Sequence, residues 1–139
     1  MSRLPIRATA LLLPVLLAGC GAFDTKADPL QSTLYEYRGV VRWSEWDRAP
    51  GFLDPLELEM EPLDATELER LKQYQITGYE VRTTNYPSEF EYQQDVELRV
   101  VNIHTQAERI VRDHQIWRWD PVAKRWWLAS GLPDVSPAD

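Results

Sequence analysis

The sequence predicts an α+β domain in which N-terminal helices pack on one face of an antiparallel sheet of about four strands. First, apolar residues near the start of the domain recur at helical spacing. Second, apolar and polar residues alternate from Gln75 onward, as in strands with one buried side and one solvent-facing side. Third, the helices precede the strands, an order typical of α+β folds.

The first helix is predicted over Gln31–Trp43. Leu30, Leu34, Tyr37 and Val41 recur at the spacing of one helix face. The segment YEYRGVV is also rich in residues that favour sheets, which leaves a strand as the alternative. We expect the helix because the apolar stripe continues for three turns.

A short second helix is predicted over Glu45–Ala49. Ser44 and Asp47, three residues apart, form a loose capping box at its start. Pro50 and Gly51 end it.

The next segment combines an extended stretch and a helix. Leu56–Glu61 alternates apolar and acidic residues, which predicts a short edge strand. Asp64 is placed to cap a helix over Ala65–Tyr74, with Leu68 and Leu71 as its buried pair.

Four strands are predicted in the remaining sequence, with turns at 85–88, 104–107 and 120–124. The strand segments are Ile76–Thr84, Phe90–Val100, Glu108–Asp120 and Arg125–Ser130. Consecutive antiparallel strands joined by short turns predict a meander.

The N-terminal residues predict export and lipidation. Arg3 and Arg7 precede an apolar run that is short and interrupted by Pro14, as in a signal peptide rather than a permanent span. The run ends in LAGC, which resembles the bacterial lipobox, and Cys20 is the only cysteine. A lone cysteine forms no intramolecular disulfide, whereas acylation gives this thiol a role. We expect residues 1–19 to be removed and Cys20 to be lipidated.

The resemblance to lipoproteins also implies a location. Several acyl chains on Cys20 anchor a protein far more strongly than one, at about 0.8 kcal/mol per buried methylene. Gly21 follows the cysteine, where an Asp would mark retention in the inner membrane of enteric bacteria. The resemblance therefore implies the outer membrane, with the domain facing the periplasm. Residues 20–29 are predicted to be a tether, 30–132 the domain and 133–139 a flexible tail.

Charge argues against nucleic acid as a partner. The chain has 15 basic and 22 acidic residues, and the segment 1–19 contains two of the bases and none of the acids. The mature chain therefore has 13 bases against 22 acids, a net charge of −9. Such a chain repels phosphate backbones, whose binding depends on Lys and Arg.

The order of elements over residues 30–132 resembles the NTF2-like, or cystatin-like, superfamily, in which N-terminal helices lie across a curved antiparallel sheet. More narrowly, TGYEV at 77–81 and WRWDPVAKRWWLASGLPD at 117–134 resemble an uncharacterised family of proteobacterial lipoproteins. The resemblance implies this fold and assigns no chemistry.

Trp117, Trp119, Trp126 and Trp127 are the candidate binding residues. Strand alternation places Trp117 and Trp119 on one face, and the hairpin brings one of the other two opposite Trp119. Three indoles therefore gather on one face, and the fourth lies on the other near Arg118. They form either the core under the helices, the wall of a ligand cavity, or an exposed surface for an envelope protein partner.

Catalytic and metal-binding patterns are weak. The histidines, His104 and His114, match no zinc motif, and the acids between Asp54 and Glu69 lack the glycine of a calcium loop. NTF2-like enzymes place a carboxylate and hydroxyl donors in the cone, and the residues of those types here are Asp95, Asp113, Tyr79 and Tyr92. We expect no metal, no cofactor and no catalytic residue.

The sequence therefore predicts a membrane-anchored, non-enzymatic interaction module facing the periplasm. The first alternative is a binder of a small apolar or aromatic ligand in the cone. The second is an enzyme of the same fold.

Overall fold

The computed structural model describes residues 26–136 and contains an open four-stranded antiparallel sheet with helices packed against it, which confirms the α+β prediction. The sheet order is β1–β2–β3–β4, a meander. The elements are α1 (Ala27–Arg42), a 3₁₀ turn (Ala49–Phe52), α2 (Pro55–Met60), α3 (Ala65–Leu71), β1 (Tyr74–Ser88), β2 (Glu91–Asn102), β3 (Glu108–Asp120) and β4 (Arg125–Leu128).

Helix α1 confirms the helical interpretation of the first segment. It buries Leu30, Tyr37, Val40 and Val41, which recur at helical spacing on one side. The Tyr37 ring makes an edge contact with the Trp117 ring of β3, with centroids 5.1 Å apart. The helix begins inside the predicted tether, at Ala27.

The predicted helix over Glu45–Ala49 is wrong, because this segment forms turns before the 3₁₀ turn. Ser44 has a positive φ of 55°, and its hydroxyl accepts a hydrogen bond from the Ile76 amide at 3.1 Å instead of capping a helix. Trp46 is buried here and donates its indole N–H to the Tyr74 carbonyl. The segment therefore fastens the end of α1 to the start of β1.

The predicted strand over Leu56–Glu61 is also wrong, because the segment folds as α2. Asp54 accepts a hydrogen bond from the Leu56 amide at 3.0 Å, and Pro55 occupies the first helical turn. An N-cap carboxylate followed by proline is a strong helix start, and it prevails over six residues of alternation. Asp54 also pairs with Arg118 of β3 at 2.5 and 2.8 Å, which ties α2 to the sheet.

Helix α3 begins as predicted and ends early. The Asp64 carboxylate caps it through the Thr66 amide at 3.0 Å. Leu71 is buried, whereas Leu68 is only partly so. The helix stops at Leu71 because the chain enters β1 at Tyr74.

The strands follow the predicted order with different ends, and β4 ends at Leu128 rather than at the predicted Ser130. β3 has the predicted bounds, whereas β1 extends through the predicted turn at 85–88, so the chain turns at Glu89 and Phe90 instead. Three shifts in the β1–β2 register accommodate the extra length.

The packed region continues past the predicted domain end at residue 132. Pro133 and Val135 are buried, so the flexible tail predicted for 133–139 is wrong at its start. Residues 137–139, and the signal segment with Cys20, lie outside the described residues. Between residues 26 and 136, no helix combines the length and hydropathy needed to cross a bilayer.

Candidate functional site

The hairpin β3–β4 arranges the tryptophans as the alternation predicts. Trp119 pairs with Trp126 across the hairpin, and Arg118 pairs with Trp127 on the other face. Trp117, Trp119 and Trp126 are buried and Trp127 is half-buried, so the predicted three-to-one division is confirmed.

The three inward indoles pack into the core. Trp117 has no exposed surface, and the Trp119 and Trp126 rings contact each other with centroids 5.6 Å apart. On the outer face, the Arg125 guanidinium stacks on Trp127 at 3.7 Å. Three roles are open to these side chains: packing in the core, lining a ligand cavity, or forming a docking surface. Trp117 and Trp119 pack in the core, and Trp126 packs there and also borders a surface cleft.

A hydrogen-bonded polar network lies beside these indoles inside the domain. Gln94 and Gln115 face each other on β2 and β3, with the Gln94 amide donating to the Gln115 carbonyl oxygen at 2.7 Å. Both amides also donate to the Tyr79 hydroxyl at 3.2 Å, and the Trp117 indole donates to Gln115. The network satisfies groups that would each be costly to bury alone.

Asp113 is the charged member of this network. It lies on the inward face of β3, and its carboxylate accepts a hydrogen bond from the Gln115 amide at 2.7 Å. Burial raises the pKa of Asp113 to about 6. The Tyr37 hydroxyl is buried without a hydrogen-bond partner among the described residues, and burial raises its pKa, with the Asp113 charge adding to the shift.

The four residues considered for catalysis are divided between the two faces of the sheet. Tyr79, Tyr92 and Asp113 point inward, whereas Asp95 is half-exposed on the outer face. Hydrogen bonds from Thr83 and from His114 lower the pKa of Asp95. The sequence analysis missed the two glutamines that join the inward group, since their pairing depends on strand register.

The outer-face contacts of Asp95 show no catalytic arrangement. The Asp95 carboxylate contacts the Thr83 hydroxyl and the His114 Nδ1, each at 2.6 Å. The hydroxyl therefore binds the acid rather than the imidazole, which is the wrong order for activating a nucleophile. His104 lies in the exposed turn between β2 and β3, as predicted.

A long cleft, here called the α1 cleft, runs along the flank of α1 and is closed on the other side by the β1–β2 hairpin and β4. It consists of an outer basin of about 490 Å³ and an inner basin of about 260 Å³. The residues that line it are Lys26, Ala27, Leu30, Gln31, Leu34, Tyr35, Arg38, Tyr79, Val81, Tyr86, Ser88, Glu89, Tyr92, Gln94 and Trp126.

A second feature, here called the α2–α3 surface, combines apolar and acidic groups. A groove of about 350 Å³ separates α2 and α3 from the chain that follows β4. The surface comprises the groove residues Leu53, Glu57, Leu58, Glu61, Leu63, Glu67 and Leu132 and the exposed α2 residues Leu56 and Met60. The exposed face of α2 was not predicted from the sequence, because the alternation over Leu56–Glu61 predicted a strand.

Within residues 26–136, no cluster of three or more His, Cys, Asp or Glu side chains is placed to hold a metal ion. Comparison of the chain with protein-family models, with curated proteins and with solved structures finds no match.

Proposed function

We propose that this protein is a lipid-anchored docking module of the bacterial envelope, which binds a protein partner through the α2–α3 surface. The anchor is proposed from the sequence, where LAGC ends an apolar leader and Cys20 is the only cysteine. The outer membrane is proposed because Gly21, and not an Asp, follows that cysteine, and the periplasmic orientation is proposed from the resemblance to exported lipoproteins. The domain is proposed to act by binding rather than by catalysis.

The observation that supports docking most strongly is that α2 buries none of its residues completely. Leu56 and Met60 lie one helical turn apart and are 53% and 73% exposed. A single exposed apolar side chain is ordinary, but two on one short helix beside an open groove form a surface that a partner can cover. Burying it stabilises a complex by about 25 cal/mol per Å² of apolar area.

The charge around this apolar surface indicates the chemistry of the partner. From Ala49 to Glu69 the chain contains seven acidic residues and no basic residue. Arg118 pairs with Asp54 and Lys72 with Glu69, but Glu57, Glu61 and Glu67 form no salt bridge in the described part of the chain. A complementary partner therefore presents Lys or Arg around an apolar centre, which is the usual arrangement of an interface.

Intact mass tests the anchor. The wild-type chain produced in a Gram-negative host is expected to lack residues 1–19 and to carry acyl chains. The Cys20→Ala variant is expected to carry none. A mature wild-type chain without acyl mass would refute the anchor and leave the docking proposal standing.

Native electrophoresis of detergent-solubilised membranes from the source bacterium tests docking. The wild-type chain is expected to migrate in a complex, and the double variant Leu56→Gln, Met60→Gln as the free protein. Val122→Gln is the matched control, because Val122 is 92% exposed in the β3–β4 turn and does not line the α2–α3 groove. Equal migration of the wild type and the double variant would refute docking through α2.

A further inference from the structure

The two basins of the α1 cleft are adjacent on the surface. Gln31 lines both basins, and the Tyr86 ring of the outer basin lies 4.9 Å from the Tyr92 ring of the inner one. The α1 residues that line the cleft extend from Ala27 to Arg38, about 17 Å at 1.5 Å per residue. The shape suits an elongated ligand rather than a compact one.

The walls of the α1 cleft combine apolar and aromatic side chains with polar ones, among them Ser88 and Glu89 at the outer basin and Gln94 at the inner basin. Leu30 and Leu34 on α1 face Tyr86 and Val81 on β1, which are 62% and 40% exposed. Trp126 borders the outer basin, and its indole N–H already donates to the Lys26 carbonyl at 3.0 Å. These walls favour an apolar chain.

The two ends of the α1 cleft differ in charge. At the outer end, the Lys26 ammonium pairs with Glu89 at 3.1 Å. At the inner end, the exposed Arg38 guanidinium stacks over the Tyr79 ring at 5.6 Å and pairs with no carboxylate of the described residues. In a chain with an excess of acids, a guanidinium without a carboxylate partner among the described residues, at the end of a partly apolar cleft, is suited to bind a carboxylate or a phosphate.

The polar groups at the floor of the inner basin are already hydrogen-bonded. The Tyr92 hydroxyl donates to Gln94, and the Tyr79 hydroxyl accepts from the amides of Gln94 and Gln115. A ligand with several polar groups would have to break these bonds, whereas a ligand with a single head at Arg38 would not.

We propose that the α1 cleft binds an elongated amphiphile with one anionic head, its apolar chain along Leu34 and Tyr86 and its carboxylate or phosphate on Arg38. The ligand class is a fatty carboxylate or the phosphate monoester of a long-chain lipid. The site is separate from the α2–α3 surface, so neither proposal depends on the other.

Calorimetric titration tests the site in the chain that starts at Gly21, which retains every described residue but carries no acyl group of its own. The probes are laurate, dodecyl phosphate and dodecanol, which share an alkyl chain and differ in the head. Laurate or dodecyl phosphate is expected to bind at one site, and dodecanol about tenfold more weakly. The tighter of the two anions identifies the source of the head, carboxylate or phosphate.

Arg38→Gln is expected to weaken binding of the anionic probe about tenfold, or about 1.4 kcal/mol. Arg112→Gln is the matched control, because Arg112 is an exposed arginine on the outer face of β3. Its affinity is expected to equal that of the wild type. Tyr86→Ala is expected to weaken all three probes, since it removes a wall.

Three results would overturn the proposal. In the first, Arg38→Gln binds the anionic probes as tightly as the wild type does. In the second, the wild type binds dodecanol as tightly as it binds the anions. In the third, no probe binds. Urea unfolding of each variant separates these results from a loss of the fold.

Discussion

Replacing Asp113 by asparagine is expected to stabilise the protein at neutral pH. Asp113 is 8% exposed, and among the described residues its carboxylate accepts one side-chain hydrogen bond, from Gln115. The interior therefore disfavours the ionised form, and burial raises the pKa from 3.8 to about 6. Asparagine retains a carbonyl oxygen for the Gln115 amide and has no charge to bury.

The magnitude follows from the difference between the folded and unfolded pKa values of Asp113. The folded state binds the proton more tightly, so the favourable contribution is complete below about pH 4 and is lost as the pH rises through about 6. At 1.36 kcal/mol per pKa unit, the ionised carboxylate lowers the free energy of unfolding at pH 7 by roughly 3 kcal/mol. Asp113→Asn removes this penalty.

Urea unfolding between about pH 4 and about pH 8 measures the effect. The stability gain of Asp113→Asn over the wild type is expected to be small at the acidic end and to reach roughly 3 kcal/mol at pH 7. Asp95→Asn is the control, because Asp95 lies on the outer face and its pKa is lowered by Thr83 and His114. Its carboxylate stabilises the fold above its unfolded pKa, and this contribution is lost in acid, so Asp95→Asn is expected to lose stability at neutral pH.

The reasoning about the buried carboxylate is wrong if Asp113→Asn is no more stable than the wild type at pH 7. It is also wrong if the difference between the two proteins is the same at pH 4 and at pH 7. In either case the interior would be compensating the charge through groups other than Gln115.

Four further substitutions test the packing by urea unfolding, and the fourth is an exposed control. Asp54→Ala is expected to cost about 3 kcal/mol, because it removes the α2 cap and leaves Arg118 unpaired; a loss below about 0.5 kcal/mol would contradict this. Gly131→Ala is expected to cost about 1 kcal/mol, because Gly131 has a φ of +80°, and an unchanged midpoint would show that this backbone relaxes freely. Trp117→Ala is expected to lower the free energy of unfolding by about 3–5 kcal/mol, because this indole is buried. Trp43→Ala, at an exposed position, is expected to lower it by less than about 0.5 kcal/mol. Similar losses for the two variants would argue against the core described here.

The sequence predicted best the elements in which apolar residues keep one spacing over many residues. Helix α1 has three turns of apolar spacing, and β3 has thirteen residues of alternation, so the prediction places β3 at its observed bounds and covers α1 except for its first turn. The division of the tryptophans between the two faces of the sheet was predictable, because alternate residues of a strand point to opposite faces.

The elements that were misread are short and are determined by tertiary contacts. The six residues of α2 fit both periods, and the Asp54 cap with its tie to Arg118 decides between them. The Ser44 hydroxyl serves β1 instead of a local helix, which no local pattern shows.

The candidate sites were harder to predict than the fold. The inward network needs Gln94 opposite Gln115, a pairing that depends on the β2–β3 register. One wall of the α1 cleft includes the part of β1 that lies beyond residue 84, where the sequence predicted this strand to end. Residue types alone suggested Asp113 and Tyr79, but not the glutamines that join them.

Site-specific photo-crosslinking in cells of the source organism tests docking through α2 most directly. A benzophenone amino acid in place of Met60 is expected to crosslink to an envelope protein, because that side chain is largely exposed on α2. The same probe in place of Val122 is expected to give no such product. The Met60 crosslink is expected to weaken when Glu57 and Glu61 are replaced by glutamine, since the partner is proposed to be basic. Absence of a product at Met60, or the same product at both positions, would contradict docking through this helix.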